Sequence, residues 1–288
     1  MTKALNKLVS LLGLEKIEEN LFRGLSQDLG LRQLYGGQVL GQALSAASQT
    51  LDADRHVHSM HGYFLRPGDA LLPVVYNVER VRDGGTFSTR RVSAIQKGQI
   101  IFELSSSFQK DEQGFHHQIQ MPKVVAPDNL PTDLELKHRD AERFPERIRD
   151  KLLYPKPIEV RPVTINDPYN PIISEPVKYL WLKADGIVPS IQAIHKYILA
   201  YASDYGFLTT SLLSHGHSIW EKEMQVASID HSLWFHRDID ANQWLLYVID
   251  SPWSGNGRGY VKGSFFQNGN LVASATQEGL IRYRKDWA

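Results

Sequence analysis

The chain repeats itself, and this constrains its fold more than any other feature. Arg91-Val-Ser-Ala-Ile-Gln96-Lys-Gly98-Gln-Ile-Ile-Phe102 lines up with Lys262-Gly-Ser-Phe-Phe-Gln267-Asn-Gly269-Asn-Leu-Val-Ala273 at an offset of 171. Each segment is a strand pattern, a Lys-Gly or Asn-Gly turn, and a second strand pattern, which is a hairpin signature. A weaker match pairs His61-Gly-Tyr-Phe-Leu65 with His231-Ser-Leu-Trp-Phe235 at an offset of 170. A largely uncharged helical segment precedes each set of strands, Gln33 to Leu51 in the first half and Ile187 to Leu213 in the second.

Leu40, Ala43, Leu44 and Ala47, and likewise Ile194, Tyr197, Ile198 and Tyr201, follow the i, i+3, i+4, i+7 spacing of a helix. Both segments are apolar or small on nearly every face, as expected of a helix wrapped by a sheet. One helix followed by hairpins, twice over, predicts an α+β fold with antiparallel sheet rather than a βαβ fold. Pro122, Pro127, Pro131, Pro145, Pro155 and Pro157 punctuate the charged stretch between the halves. That stretch reads as a linker containing a short helix. The division expected is residues 1–110, a linker over 111–157, and 158–288.

If the halves are equivalent, their differences locate function. Asp204 is the only Asp, Glu, Lys or Arg between Lys196 and Glu221, while the first helical segment carries no charge. An ionised carboxylate in apolar surroundings is costly, and burial raises its pKa towards the range of a general base. The bland reading is a helix-capping acid at Ser203-Asp204 or a satisfied core carboxylate. The repeat sets Ser228 opposite His58 and Thr276-Gln277-Glu278 opposite Ser105-Ser106-Ser107, so the second half carries polar groups that the first does not repeat. Asp204, Ser228 and Gln277 could hold one water between them. Singly, a Ser or Gln on a strand is usually just surface. Tyr35-Gly36-Gly37-Gln38 opens the first helix. Two glycines there leave N–H groups clear for a developing oxyanion, or simply permit close packing.

Four stretches carry a resemblance: Asp28-Leu-Gly-Leu-Arg-Gln-Leu-Tyr-Gly-Gly-Gln-Val-Leu-Gly-Gln-Ala-Leu44, His58-Ser-Met-His-Gly-Tyr-Phe-Leu-Arg-Pro-Gly-Asp69, Ile229-Asp-His-Ser-Leu-Trp-Phe-His-Arg237 and Gln277-Glu-Gly279. Together they resemble the acyl-CoA thioesterase II (TesB-type) family, essentially end to end. The resemblance implies a double hotdog, two fused repeats of a helix wrapped by an antiparallel sheet. It implies hydrolysis of medium- to long-chain fatty acyl-CoA to free acid and CoA, without a cofactor. The implied site is an Asp, a Thr and a Gln around a water, with Asp204 and Gln277 matching. Ser228 stands where most members have Thr, keeping the hydroxyl and dropping a methyl. Gly36 and Gly37 are the implied substrate-binding positions. A homo-oligomer, dimer or tetramer, is also implied.

Competing chemistries are weaker. A Ser-His-Asp hydrolase needs G-x-S-x-G, and Gly216-His-Ser218-Ile-Trp220 lacks the final glycine. No Asp-x-Asn-x-x-His run supports a hotdog hydratase. A passive acyl-CoA carrier would have no use for an oriented water. His56-x-His58-x-x-His61 and His215-x-His217 offer no complete metal set; His61 and His231 read as structural, and His58 stays a reserve catalytic candidate. With no cysteine, thiol chemistry is excluded. Lys+Arg and Asp+Glu, 32 each, give no global field that points to nucleic acid. Arg66, Arg90, Arg91, Arg237 and Arg258 are candidates for the CoA phosphates. Without a signal-peptide pattern, a membrane-length apolar run or a Ser-Lys-Leu type C-terminus, the expected location is the cytoplasm.

Overall fold

The computed structural model describes residues 2–30 and 33–285, so the C-terminal tripeptide lies outside it. The first half runs α1 (Lys3–Leu12), β1 (Glu15–Glu18), β2 (Leu21–Gly24), α2 (Gly36–Ser48), β3 (His56–Phe64), β4 (Val74–Asp83), β5 (Phe87–Gln96) and β6 (Gln99–Gln109). Two short helices follow, α3 (Asp133–Arg139) and α4 (Glu146–Leu153). The second half runs β7 (Ile158–Pro162), β8 (Val177–Ala184), α5 (Gln192–Ala202), a 3-10 segment (Leu208–His215), β9 (Met224–Ser228), β10 (Asp230–Phe235), β11 (Leu245–Gly255), β12 (Arg258–Gln267) and β13 (Asn270–Tyr283).

The strands of the described residues form one antiparallel sheet of thirteen, in the order β1-β2-β4-β5-β6-β3-β10-β13-β12-β11-β8-β7, with β9 alongside β13. The halves therefore meet strand to strand, β3 against β10. His61 pairs with Ser232, Met60 with Leu233, and Gly62 with His231. Within each half the ladders fix the correspondence: His61 pairs with Ser105 as Ser232 pairs with Thr276, an offset of 171 for both strands, so a pseudo-twofold axis passes between the facing residues His61 and Ser232. The 170-residue match of His61 with His231 is thereby corrected. A one-residue slip reverses the face of every side chain in a strand. His61 is exposed, whereas His231 is fully buried; they are not equivalent residues.

The repeated turns are as the sequence implied. Lys97-Gly98 and Asn268-Gly269 both have positive φ at both residues, the mirror-image turn that matches strand twist. Each half also carries a bulge at the same place. In β3, Val57 pairs with Phe108 and Ser59 with Ser107, leaving His58 extra. In the second half Ser228 pairs with Gly279 and Ser232 with Thr276, so three residues span the stretch that two span opposite.

Helices α2 and α5 lie side by side in the core. A Cβ on Gly37 would collide with the Tyr201 carbonyl, and one on Gly41 would sit 3.0 Å from the Tyr197 carbonyl. As the numbering rises on α2 it falls on α5, so the helices are antiparallel. The second helix is shorter than its apolar segment: α5 stops at Ala202, and after a turn the chain continues as the 3-10 segment. The N-terminal helix α1 is capped by the Thr2 hydroxyl and buries Leu5, Leu8, Leu11 and Leu12. Met121, Val124 and Leu130 of the connecting stretch pack on Trp181, Leu246 and Phe266. That stretch thus shields an outward apolar patch of the second half's sheet.

Candidate active site

Asp204 lies two residues beyond the end of α5, neither inside a helix nor capping the 3-10 segment, whose N-cap is Phe207. The antiparallel helix pair brings it to the N-terminus of α2. The Gly37 N–H donates to Asp204 Oδ2 at 3.1 Å. The close-packing reading of the glycine pair holds at Gly37, whereas its N–H, expected to be clear for an oxyanion, is engaged by the carboxylate of the other half. A Cβ on Gly36 would stand 2.9 Å from Asp204 Oδ2, so that glycine keeps open the space beside the carboxylate.

Gln277 and Ser228 arrive from the sheet. Gln277 Nε2 donates to Asp204 Oδ1 at 3.2 Å and to Ser228 Oγ at 2.7 Å. Ser228 reaches this position because of the bulge. Counting back from inward-facing His231 along a regular strand, Ser228 would point outward; the extra residue turns it in, onto the face of Gly279 and Gln277. An ionised carboxylate only accepts hydrogen bonds, so the Gln277 amide must present its nitrogen to Asp204. Its Oε1 is then left buried without a protein partner. The structure brings Asp204, Ser228, Gln277 and Gly37 together, with Gly36 alongside.

Burial pushes the Asp204 carboxyl up to about 6, against the opposing pull of the bonds from Gln277 and Gly37. The surroundings are aromatic. Tyr35 stacks on Tyr205 at 5.7 Å and meets Tyr201 edge-on at 5.0 Å, and its hydroxyl donates to the Tyr201 carbonyl at 3.0 Å. Burial, and then the Asp204 charge, hold the Tyr35 phenol well above its usual range, so it stays neutral beside the carboxylate. The sequence offered no signal for this wall beyond the tyrosines themselves.

The other candidates lie elsewhere. At the corrected offset His58 matches Ile229 rather than Ser228; its Nε2 meets Ser107 Oγ at 2.8 Å and its ring meets Phe87, not Asp204. Among the described residues no three His, Asp or Glu side chains could hold a metal ion. Arg66 donates to the Ile100 carbonyl, Arg91 to Glu79, Arg237 to His116 and Arg258 to Glu278. Arg90 is withdrawn as a phosphate contact. It is 1% exposed and bonded to Thr50 Oγ1 and carbonyl, the Arg82 and Thr89 carbonyls and Asp83. Its place explains the asymmetry. Thr50 stands two residues past α2 as Asp204 stands past α5, and Val57 and Ser106 match Ser228 and Gln277 at the 171 offset. Where the second half has its polar cluster, the first has a helix end clamped by an arginine.

Comparison with known proteins agrees with this architecture. A family model described as "Acyl-CoA thioesterase" matches residues 149–280, and one described as "Acyl-CoA thioesterase N-terminal domain" matches residues 26–109. The chain is 44% identical to "Acyl-CoA thioesterase 2" of Haemophilus influenzae, over 98% of this chain and 99% of that protein. It is 39% identical to "Acyl-coenzyme A thioesterase 8" of Homo sapiens, over 96% and 89% respectively. The crystal structure of an acyl-CoA thioesterase II, TesB2, from Mycobacterium marinum superposes with a TM-score of 0.79 at 36% identity, covering 98% of this chain and 99% of that one. With two helix-wrapped repeats in one sheet and relatives of this similarity along nearly its whole length, the chain belongs to the acyl-CoA thioesterase family, a family of thioester hydrolases with the double-hotdog fold.

Proposed function

We propose that the protein hydrolyses fatty acyl-CoA to free acid and CoA by direct attack of a water held by Asp204, Ser228 and Gln277. The observation that carries this is the disposition of unused hydrogen-bonding capacity at the site. Ser228 Oγ accepts from Gln277 and keeps its own proton to donate; Gln277 Oε1 is an unengaged acceptor; Asp204 has lone pairs to spare. A water giving its two protons to Asp204 and Gln277 and accepting one from Ser228 has one lone pair left, free to attack a thioester carbon.

The O–C bond forms as Asp204 takes the proton, and the C–S bond then breaks. A thiol of pKa about 8.5 leaves as thiolate, so no strong general acid is required. As negative charge passes from Asp204 to the thioester oxygen, the positive end of α2 serves the oxyanion, with the Gly37 N–H following the charge. The family likeness extends the reading to medium- to long-chain substrates, a homo-oligomer and a cytoplasmic setting; no helix among the described residues is long and apolar enough to cross a membrane. Single-turnover hydrolysis in 18O-water tests the mechanism. Direct attack places the label in the acid released in the first turnover. Label in Asp204 instead would make the carboxylate a nucleophile and overturn the held-water step.

A further inference from the structure

Behind Asp204 lies a buried polar cluster that the water-activating groups do not include. Ser203, the residue before Asp204, is fully buried; its hydroxyl donates to the Ala200 carbonyl at 2.9 Å and lies 2.9 Å from His231 Nε2. A serine hydroxyl has one proton, and here it is spent on Ala200. The imidazole must therefore donate from Nε2, which fixes the tautomer and leaves Nδ1 as a bare, buried lone pair without a partner. On the other side of the same peptide, the Tyr247 hydroxyl donates to the Ser203 carbonyl at 2.8 Å. The residue that precedes Asp204 is thus held at its side chain and its carbonyl.

The first half shows what this position requires for folding alone. At the 171 offset His231 corresponds to Met60, fully buried in the core. Tyr247 corresponds to Tyr76, whose hydroxyl donates to Gln42 within the helix rather than at its end. A methionine fills the core site in the half that lacks the carboxylate; in the other half the site holds a histidine with one nitrogen left unsatisfied. A buried orphan nitrogen is a cost that packing does not explain.

We propose that His231 is a positioning residue for the reaction: by donating to Ser203 it sets the turn after α5 so that Asp204 meets Gly37, Gln277 and the attacking water. It does not exchange protons itself. Burial pushes its pKa down to about 3, so it remains a neutral donor wherever Asp204 is ionised. The inference rests on the role proposed above for Asp204.

The test is kinetic. His231→Met imports the first half's own core residue, and His231→Gln keeps a side-chain N–H donor. For His231→Met the expectation is a kcat lowered by roughly 10- to 100-fold, the cost of a misplaced catalytic group, with KM within about threefold and Tm not reduced. His231→Gln should recover most of that loss. Ser203→Ala, which removes the same bond from the other side, should lower kcat and add little when combined with His231→Met. Unchanged kcat in His231→Met overturns the proposal. So does a loss of kcat that comes with a lowered Tm, or one that His231→Gln fails to restore, since both indicate packing alone. Asp204→Asn assayed alongside separates the two claims. If that variant is fully active, the role of Asp204 fails; if it is inactive while His231→Met is not, only the positioning role fails.

Discussion

At the scale of residues, the site depends on one carboxylate whose environment suits it to take a proton near neutrality. With the Asp204 carboxyl raised to about 6 from the ordinary 3.8, the proposed base is ionised above that pH and protonated below it. The acid limb of the kcat/KM profile should bend near pH 6, falling about tenfold per pH unit below; a limb near 4 would contradict the raised pKa that burial gives the proposed base. Ser228→Ala should lower kcat by about 10- to 100-fold, because it leaves a buried Gln277 donor unpaired, whereas Ser228→Thr should stay close to wild type. Steady-state rates of the two variants decide whether the hydroxyl matters. Asp204 was legible as a lone charge in an apolar run. His231, Ser203 and Tyr247 were not, because a one-residue error in the repeat set His231 against His61 and hid its true counterpart, Met60.

At the scale of elements, the site exists because α2 and α5 touch through glycine and because β9 and β10 are separated by a bulge. Gly37→Ala should cost about 1–3 kcal/mol in urea unfolding and lower kcat as well, since the Cβ drives α2 away from the Tyr201 carbonyl and takes the Gly37 N–H from Asp204. Gly85→Ala, in open space, is the control and should change neither. Helix periodicity and the Gly-containing hairpin turns could be read from the residues, because both are local. The end of α5 could not: the apolar run continues past Ala202 into the 3-10 segment without a proline, and hydrophobicity does not distinguish one helix from two. Nor could the bulge, because an extra residue is defined only against its partner strand, and the inward turn of Ser228 follows from it.

At the scale of the molecule, the two halves share one continuous sheet, and the Asp204 cluster belongs to only one of them. The sheet is continuous through β3 and β10, and Asp204 is held by a backbone N–H from the opposite half. Residues 158–288 expressed alone should therefore be inactive in thiol release although they contain Asp204, Ser228 and Gln277; an active fragment would show that Gly37 is dispensable. On the other side Arg90 takes up the equivalent space. Arg90→Leu should destabilise the fold by about 3 kcal/mol while leaving KM for acyl-CoA unchanged, as urea unfolding and steady-state kinetics would show. That two equal units exist was legible from the 171-residue repeat. How they dock was not, since a repeat says what is alike and is silent on which strands meet across the axis.

The most direct test is thiol release from an acyl-CoA series, short to long, by wild type and Asp204→Asn side by side. The expected result is hydrolysis by the wild type and a loss of roughly 100- to 10,000-fold in the variant, with KM little changed. A folded Asp204→Asn protein that keeps near-full activity would contradict the assignment of Asp204 as the base.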